Sequence, residues 1–152
     1  MTRLLATAVL IATLAMTSVA SAAHLKFEAA LSGAEEVPPV ATDGTGTAKL
    51  GVHANRVIFR LRWEGLTSPA MAAHIHCGET GENGPVGVTL FAGAMGTKGH
   101  VNGRFTAPDP ANACGWADLS DVIEAMSSGA TYVNVHTQQF PGGEIRGQVA
   151  AD

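Results

Sequence analysis

Two histidines separated by a single residue, His74 and His76, are the side chains of this sequence best placed to do chemistry. Residues i and i+2 of a β-strand project from the same face, so the two imidazoles lie side by side if segment 71–77 is a strand. Neighbouring imidazoles can bind one metal ion through their ring nitrogens. His-x-His pairs also occur on solvated strands without any metal, and that alternative stays open.

His136 is the third candidate ligand, near the end of the alternating segment 131–137. The valines of this segment are predicted to face the core, and His136 then shares the opposite face with Asn134. If that face lies beside His74 and His76, three imidazoles converge in a donor set that suits Cu²⁺ or Zn²⁺ with an open position. The alternative is that His136 bonds a loop carbonyl and fixes a turn.

Glu144 and Arg146 form a second polar cluster, two residues apart in the predicted strand 144–150. The simplest interpretation is a structural ion pair that closes a loop. In the functional alternative, Arg146 guides an anion towards a nearby metal, while Glu144 and Asn134 orient a histidine ligand.

Two further sites offer weaker candidates. Glu35 and Glu36 precede Val-Pro-Pro and could offer oxygen ligands, but an exposed acidic loop is the expectation. His24 would chelate copper through its amine and imidazole if it were the first residue of the mature chain. Mass spectrometry of the mature protein tests that second idea.

The N-terminal residues 1–23 have the pattern of a cleavable signal peptide. A short basic start is followed by an apolar run over 4–16 and by small residues ending in Ala22 and Ala23, after either of which cleavage can occur. The apolar run is shorter than the ~20 residues that a membrane span needs. We therefore expect a domain over 24–152 that is periplasmic or secreted and free of the membrane after cleavage, with a retained anchor helix as the alternative.

Composition narrows the function further. The net charge is −4, and the basic residues are scattered along the chain, which argues against nucleic acid as a partner. The sequence contains no nucleophile elbow, P-loop or dinucleotide fingerprint. An enzyme is therefore not favoured, and no particular protein or small-molecule partner is indicated.

Cys77 and Cys114 are the two cysteines of the chain. In an exported protein, an even count predicts a disulfide, here closing a loop of 37 residues. The chain-entropy argument makes such a bond worth roughly 4 kcal/mol. Two buried thiols, or Cys77 as a soft metal ligand beside the histidines, are the alternatives.

The elements that must position these residues are mostly short strands. Alternation and Gly/Pro turns predict strands over 24–31, 45–52, 56–63, 71–77, 88–91, 100–107, 131–137 and 144–150. One amphipathic helix is predicted over 118–128, with Asp118 as its N-cap and Gly129 closing its end. This order predicts one all-β domain, an antiparallel sandwich or barrel with one short helix.

Four separated motifs resemble the CHRD domain family, in the order that the family has. They are Leu-Ser-Gly-Ala-Glu-Glu-Val-Pro-Pro-Val at 31–40, Ala-His-Ile-His-Cys-Gly at 73–78, Gly-Pro-Val at 84–86, and Tyr-Val-Asn-Val-His-Thr with Pro-Gly-Gly-Glu-Ile-Arg-Gly-Gln at 132–148. The resemblance covers about 26–149. It implies an extracytoplasmic protein, and it says less about function.

A looser similarity is to Cu,Zn superoxide dismutases, which carry His-x-His, a late Val-x-Val-His and a terminal Gly-Gly-x-x-Arg. This resemblance implies a Greek-key β-sandwich or barrel, with His74, His76 and His136 as copper ligands and Arg146 as the anion guide. The sequence departs from the dismutase pattern: it has no bridging histidine and no zinc cluster, and its last strand has no cysteine.

Three functions are therefore expected in order of preference. The first is a metal-binding exported domain with a three-histidine site, for copper rather than zinc. The second is a non-enzymatic extracytoplasmic binding or structural module without a metal. The third is a dismutase-like redox enzyme.

Overall fold

The computed structural model describes residues 25–152. The predicted signal peptide and His24 lie outside the described residues. Within them, the chain forms nine strands, one α-helix and a short 3₁₀ turn at Gly33–Glu35. The elements are β1 (Lys26–Ser32), β2 (Thr45–His53), β3 (Arg56–Glu64), β4 (Ala70–Cys77), β5 (Val86–Ala92), β6 (Gly99–Phe105), α1 (Leu119–Ser127), β7 (Thr131–Thr137), β8 (Ile145–Gln148) and β9 (Ala150–Ala151).

The strands form one sheet in the order β5-β4-β7-β8-β1-β2-β3-β6, with β9 pairing to β1, and all of these pairings are antiparallel. After β3, the chain forms the antiparallel pair β4–β5. It then forms β6, which pairs with β3. Such a connection is of the Greek-key type. The sheet curls into a nearly closed barrel or sandwich, so the predicted all-β class with one short helix is confirmed.

Alternating side chains of each strand fill the core. On β3, Phe59, Leu61 and Trp63 are buried, while the arginines between them are exposed. The Trp63 ring stacks on Phe91 of β5 with 5.3 Å between ring centroids, which joins β3 to the edge strand β5 across the core. The alternation that predicted a strand over 56–63 therefore corresponds to alternating burial on β3.

The helix closes one end of the core. Asp118 accepts hydrogen bonds from the backbone N–H groups of Ser120 and Asp121 and completes a capping box with the Asp121 side chain. Val122 and Met126 are fully buried. Gly129 follows with a φ of 76°, the left-handed conformation that ends helices at low cost to glycine. Both predicted caps are confirmed.

The predicted strand boundaries need small corrections. Strand β5 begins at Val86, so the preceding loop is shorter than expected, and β6 ends at Phe105. The last predicted strand is divided into β8 and β9, and Glu144 lies just before β8. Among the described residues, no helix is long and apolar enough to cross a membrane.

Candidate metal centre

The pairing of β4 with β7 brings three histidines together on the outer side of the sheet. His74 lies opposite Asn134, and His136 lies opposite Ala72, one pleat away from His74 on the same face. His76 continues the row on β4. One ring nitrogen from each histidine lies within 4.8 Å of the others. The convergence predicted for His74, His76 and His136 is therefore present in the geometry.

Backbone carbonyls orient two of the three imidazoles. The Nδ1 atom of His76 lies 2.9 Å from the Gly84 oxygen, and that of His136 lies 2.9 Å from the Pro141 oxygen. A carbonyl oxygen only accepts, so each Nδ1 carries the proton and donates it. Each Nε2 then presents a lone pair, and these two Nε2 atoms lie 3.4 Å apart. This arrangement leaves two acceptors facing one another.

His74 completes the cluster with an unpaired nitrogen. Its Nδ1 is buried and has no hydrogen-bond partner in residues 25–152. Buried polar atoms in native proteins nearly always have a partner, so an orphan of this kind indicates a missing ligand or water. The donor set also suits a metal, because imidazole nitrogen binds copper and zinc well.

Burial favours the neutral form of all three imidazoles. Burial lowers the pKa of His74 to about 4, with further lowering by His136 and His76 against a small opposing effect of Asp109. Burial likewise lowers the pKa of His76 to about 4, against the bond to Gly84. The pKa of His136 is also lowered by burial. Neutral imidazole is the form that binds a metal ion.

The Tyr132 ring packs against the face of the His76 ring. The two rings stack with centroids 4.8 Å apart and an interplanar angle of 10°. The Arg146 guanidinium carbon lies 3.5 Å from the Tyr132 centroid. Two flat groups at these distances cannot share one ring face, so Tyr132 stands between Arg146 and His76. The tyrosine hydroxyl donates to the Gly84 oxygen at 3.2 Å and accepts from the Gly84 N–H at 3.1 Å.

Arg146 is buried and anchored to the loop after β4. It is 2% exposed, and it donates to the Asn83 side chain at 3.2 Å and to the Glu79 carbonyl at 3.3 Å. Sequence reasoning offered Arg146 as an anion guide or as the partner of Glu144. In the described structure, Arg146 instead packs against the Tyr132 ring and helps to hold it in place.

Glu144 is fully buried and holds loops together. It accepts hydrogen bonds from the Thr42 hydroxyl, from the Thr67 N–H and hydroxyl, and from the Thr137 hydroxyl, at 2.7 to 2.9 Å. Burial would raise the pKa of Glu144, but these hydrogen bonds reverse the effect and lower it. Its hydrogen bonds go to threonines, and the ion pair with Arg146 considered from sequence is not formed among residues 25–152.

Glu36 is the site residue that sequence reasoning underestimated. The expected exposed acidic loop is right for Glu35 but wrong for Glu36, which is 6% exposed. The Asn134 amide donates to both Glu36 carboxylate oxygens, at 2.9 and 3.1 Å. Burial raises the pKa of Glu36 to about 7, against the lowering effects of Asn134 and Arg146. No local pattern distinguishes the two neighbouring glutamates, because the contacts come from distant β7 and β8.

Cys77 and Cys114 form the predicted disulfide, and Cys77 directly follows His76 in the chain. The bond ties the end of β4 to the segment before α1. Gly84, opposite this point, is placed so that a Cβ would collide with the Cys77 carbonyl oxygen. Only glycine therefore lets the Gly84 carbonyl approach His76 in this way.

A family model for the CHRD domain matches residues 27–149, which is most of the chain. The chain belongs to the CHRD domain family. No curated protein and no solved structure gives a significant match. The resemblance predicted from the four motifs is thus confirmed, and the histidine cluster of this CHRD domain lies within the matched region.

Proposed function

We propose that this CHRD domain is an exported module that binds one metal ion, copper in preference to zinc, through His74, His76 and His136. The observation that carries the proposal is the pair of facing Nε2 atoms at 3.4 Å. Two neutral acceptors at this distance repel each other unless a cation lies between them. Because burial disfavours protonation of His76, a metal ion is the cation that fits.

The surroundings support metal binding rather than a simple hydrogen-bonded cluster. Metal-binding histidines usually donate their other ring N–H to a carbonyl or carboxylate, which fixes the tautomer. The Gly84 and Pro141 carbonyls do this for His76 and His136. The orphaned Nδ1 of His74 gives the third imidazole a nitrogen without any competing partner among residues 25–152.

Copper is favoured by the chemistry of the donors. A nitrogen site binds Cu²⁺ more tightly than Zn²⁺ in the general affinity order of divalent metals. Three protein ligands leave an open position, whereas a structural zinc site is closed by four. A bound copper ion would supply Lewis acidity and one-electron redox chemistry. The domain's own contribution is to hold three neutral imidazoles in place.

A binding module is favoured over a dismutase-like enzyme. Arg146 packs on the Tyr132 ring and is anchored to Asn83 and Glu79, so its guanidinium does not line an approach for an anion. Steering of an anionic substrate requires an accessible positive charge at the mouth of the site.

We propose that the protein is located outside the cytoplasm. The signal-peptide pattern of residues 1–23 and the Cys77–Cys114 disulfide both fit an oxidising compartment outside the cytoplasm. The proposed location is the periplasm or the medium, and N-terminal sequencing of the secreted chain tests it.

The experiment is a metal titration of the exported, metal-stripped protein by calorimetry, with Cu²⁺ and Zn²⁺ in turn. We expect one equivalent of Cu²⁺ and weaker binding of Zn²⁺. The variant His76→Ala/His136→Ala should lose the Cu²⁺ site, while His100→Ala, at an exposed position on β6, should keep it. If the folded wild-type protein binds neither ion, the proposal is wrong, and the domain is a binding or structural module without a metal.

A further inference from the structure

The outer face of β2, β3 and β6 gathers basic side chains that are scattered in the sequence. In the register of the sheet, Arg60 lies between Lys49 and Asn102, and Arg62 lies between Thr47 and His100. Arg104 continues the face on β6, opposite Ile58. Lys49, Arg60 and Arg62 alternate with buried core side chains. The exposed residues of β6 alternate with less exposed ones, so all of these side chains point outwards.

The charges of this basic face (Lys49, Arg60, Arg62 and Arg104) are poorly compensated. Among residues 25–152 the ion pairs are Lys49 with Glu28 at 3.5 Å and the peripheral Lys98 with Glu64 at 2.8 Å. The Arg60 Nε donates only to the neutral Asn102, at 3.1 Å.

Lys49 and Arg60 also lie directly opposite one another. Like charges in such a cross-strand pair destabilise a sheet. The whole chain is acidic, with a net charge of −4, so the face is a local reversal of its overall charge. An anionic ligand would relieve this repulsion, and this is the physical reason to look for one here.

We infer that the basic face binds an extended anionic polysaccharide through its carboxylate groups. Arg60 and Arg62 are about 7 Å apart along β3, and the flanking strands are about 5 Å away, so the charges are regularly spaced and suit a chain of repeated anionic groups. Arg60, Arg62, Thr47 and Lys49 line a shallow depression on this face. The Thr47 hydroxyl and the Asn102 amide add hydrogen-bonding groups for sugar hydroxyls.

Other polyanions fit this face less well. A membrane-binding surface inserts aromatic or large apolar side chains, and here the large apolar side chain among the charges is the half-exposed Ile58. Single-stranded nucleic acid requires aromatic rings for base stacking, and the rings of β3, Phe59 and Trp63, are buried in the core. The face of this sheet presents neither a helix nor a two-stranded ribbon to the groove of duplex DNA.

This inference stands independently of the metal site. The histidines lie on β4 and β7, and β8 and β1 separate β7 from β2 in the sheet. A polysaccharide bound to the basic face therefore leaves the histidine cluster uncovered, and the two sites can be tested separately.

The experiment measures retention of the mature protein on immobilised polygalacturonate, with neutral dextran as the reference matrix. We compare the wild type with Arg60→Gln/Arg62→Gln, whose positions are exposed, so the fold should be retained. The matched control is Gln138→Glu/Gln139→Glu, which lowers the net charge by the same amount at two exposed positions in the loop after β7, away from the basic face. Metal-stripped protein is used throughout.

The expected result is salt-sensitive binding to polygalacturonate that the arginine variant weakens about fivefold to tenfold, as two exposed charge contacts would. The Gln138/Gln139 control should bind within about twofold of the wild type. Equal losses in both variants would overturn the inference, because net charge alone would then explain binding. Equal retention on dextran, or tighter binding to anionic phospholipid vesicles or duplex DNA, would overturn it as well.

Discussion

The Nε2 atoms of His76 and His136 face one another at 3.4 Å, although 59 residues stand between the two histidines in the chain. Each ring is held by a carbonyl on its far side, that of Gly84 or that of Pro141. The relationship is thus fixed by four segments, the strands β4 and β7 and the loop that follows each of them. It leads to predictions about the pKa values of the histidines, about metal affinity and about the stability contributed by the buried groups near the site.

In the metal-free protein, His74 and His76 should stay neutral far below the ordinary histidine pKa of 6.5. Burial is the main cause, and both pKa values lie at about 4. Between pH 6.5 and about 4, the folded state binds fewer protons at these two groups than the unfolded state does. The two groups therefore lower the free energy of unfolding as the pH falls through this range. Nitrogen NMR of the imidazoles measures the two pKa values. Values near 6.5 for both rings would contradict the buried, neutral cluster.

Glu36→Gln should raise stability at pH 8 and remove a pH dependence between 4.5 and about 7. The folded pKa of Glu36 is raised from 4.5 to about 7, so its folded state binds more protons in this window, and stability falls as the pH rises through it. The predicted gain at pH 8 is on the order of 3 kcal/mol. Urea unfolding across this pH range measures it.

Glu35→Gln is the matched control for that prediction, because Glu35 is the exposed neighbour. Its stability profile should follow the wild type within about 0.5 kcal/mol. A Glu36→Gln profile parallel to that of the Glu35 variant would show that Glu36 is ionised in an ordinary environment.

Gly84→Ala should weaken metal binding while leaving all three histidines in the sequence. The new Cβ would collide with the Cys77 carbonyl, so the Gly84 carbonyl must move away from His76. Loss of a group that orients a ligand typically lowers metal affinity by about 10-fold to 100-fold. Copper titration measures the change. Gly142→Ala, which meets no atom within 4 Å, is the control and should bind as the wild type does.

Glu144→Ala should be strongly destabilising, by about 3 to 5 kcal/mol, because it removes a buried acceptor from three threonines. Glu144→Gln should cost less, since the amide oxygen still accepts and the hydroxyls can turn. Denaturant unfolding measures the free energy of unfolding of both variants and so tests which of them is less stable. The exposed Glu64→Ala, which breaks only a surface ion pair, should change stability by less than about 1 kcal/mol. Similar losses at Glu64 and Glu144 would contradict the assigned role of Glu144.

The Cys77→Ser/Cys114→Ser variant should lose about 2 to 4 kcal/mol of stability, because the unfolded chain is freed from a cross-link spanning 37 residues. Thermal unfolding of the oxidised wild type, the reduced wild type and the variant tests this. Reduction should bring the wild type close to the variant. An unchanged melting temperature on reduction would show that the disulfide contributes little.

The sequence by itself determined the strands, the helix with its two caps, and the pairing of the two cysteines. These features follow from alternation, from the Asp118 and Gly129 signals, and from the count of cysteines, all of which are local or nearly so. The sequence also placed His74 and His76 on one face, because strand geometry alone requires it. The four motifs gave the family.

Only the tertiary structure decided how these pieces meet. Whether His136 reaches His74 depends on the register of β4 against β7, and a slip of one residue would turn it to the other face. Burial of Glu36 and the position of Tyr132 between Arg146 and His76 depend on loops that fold back from distant segments. The basic face arises in the same way, because cross-strand pairing gathers charges that lie far apart in the chain.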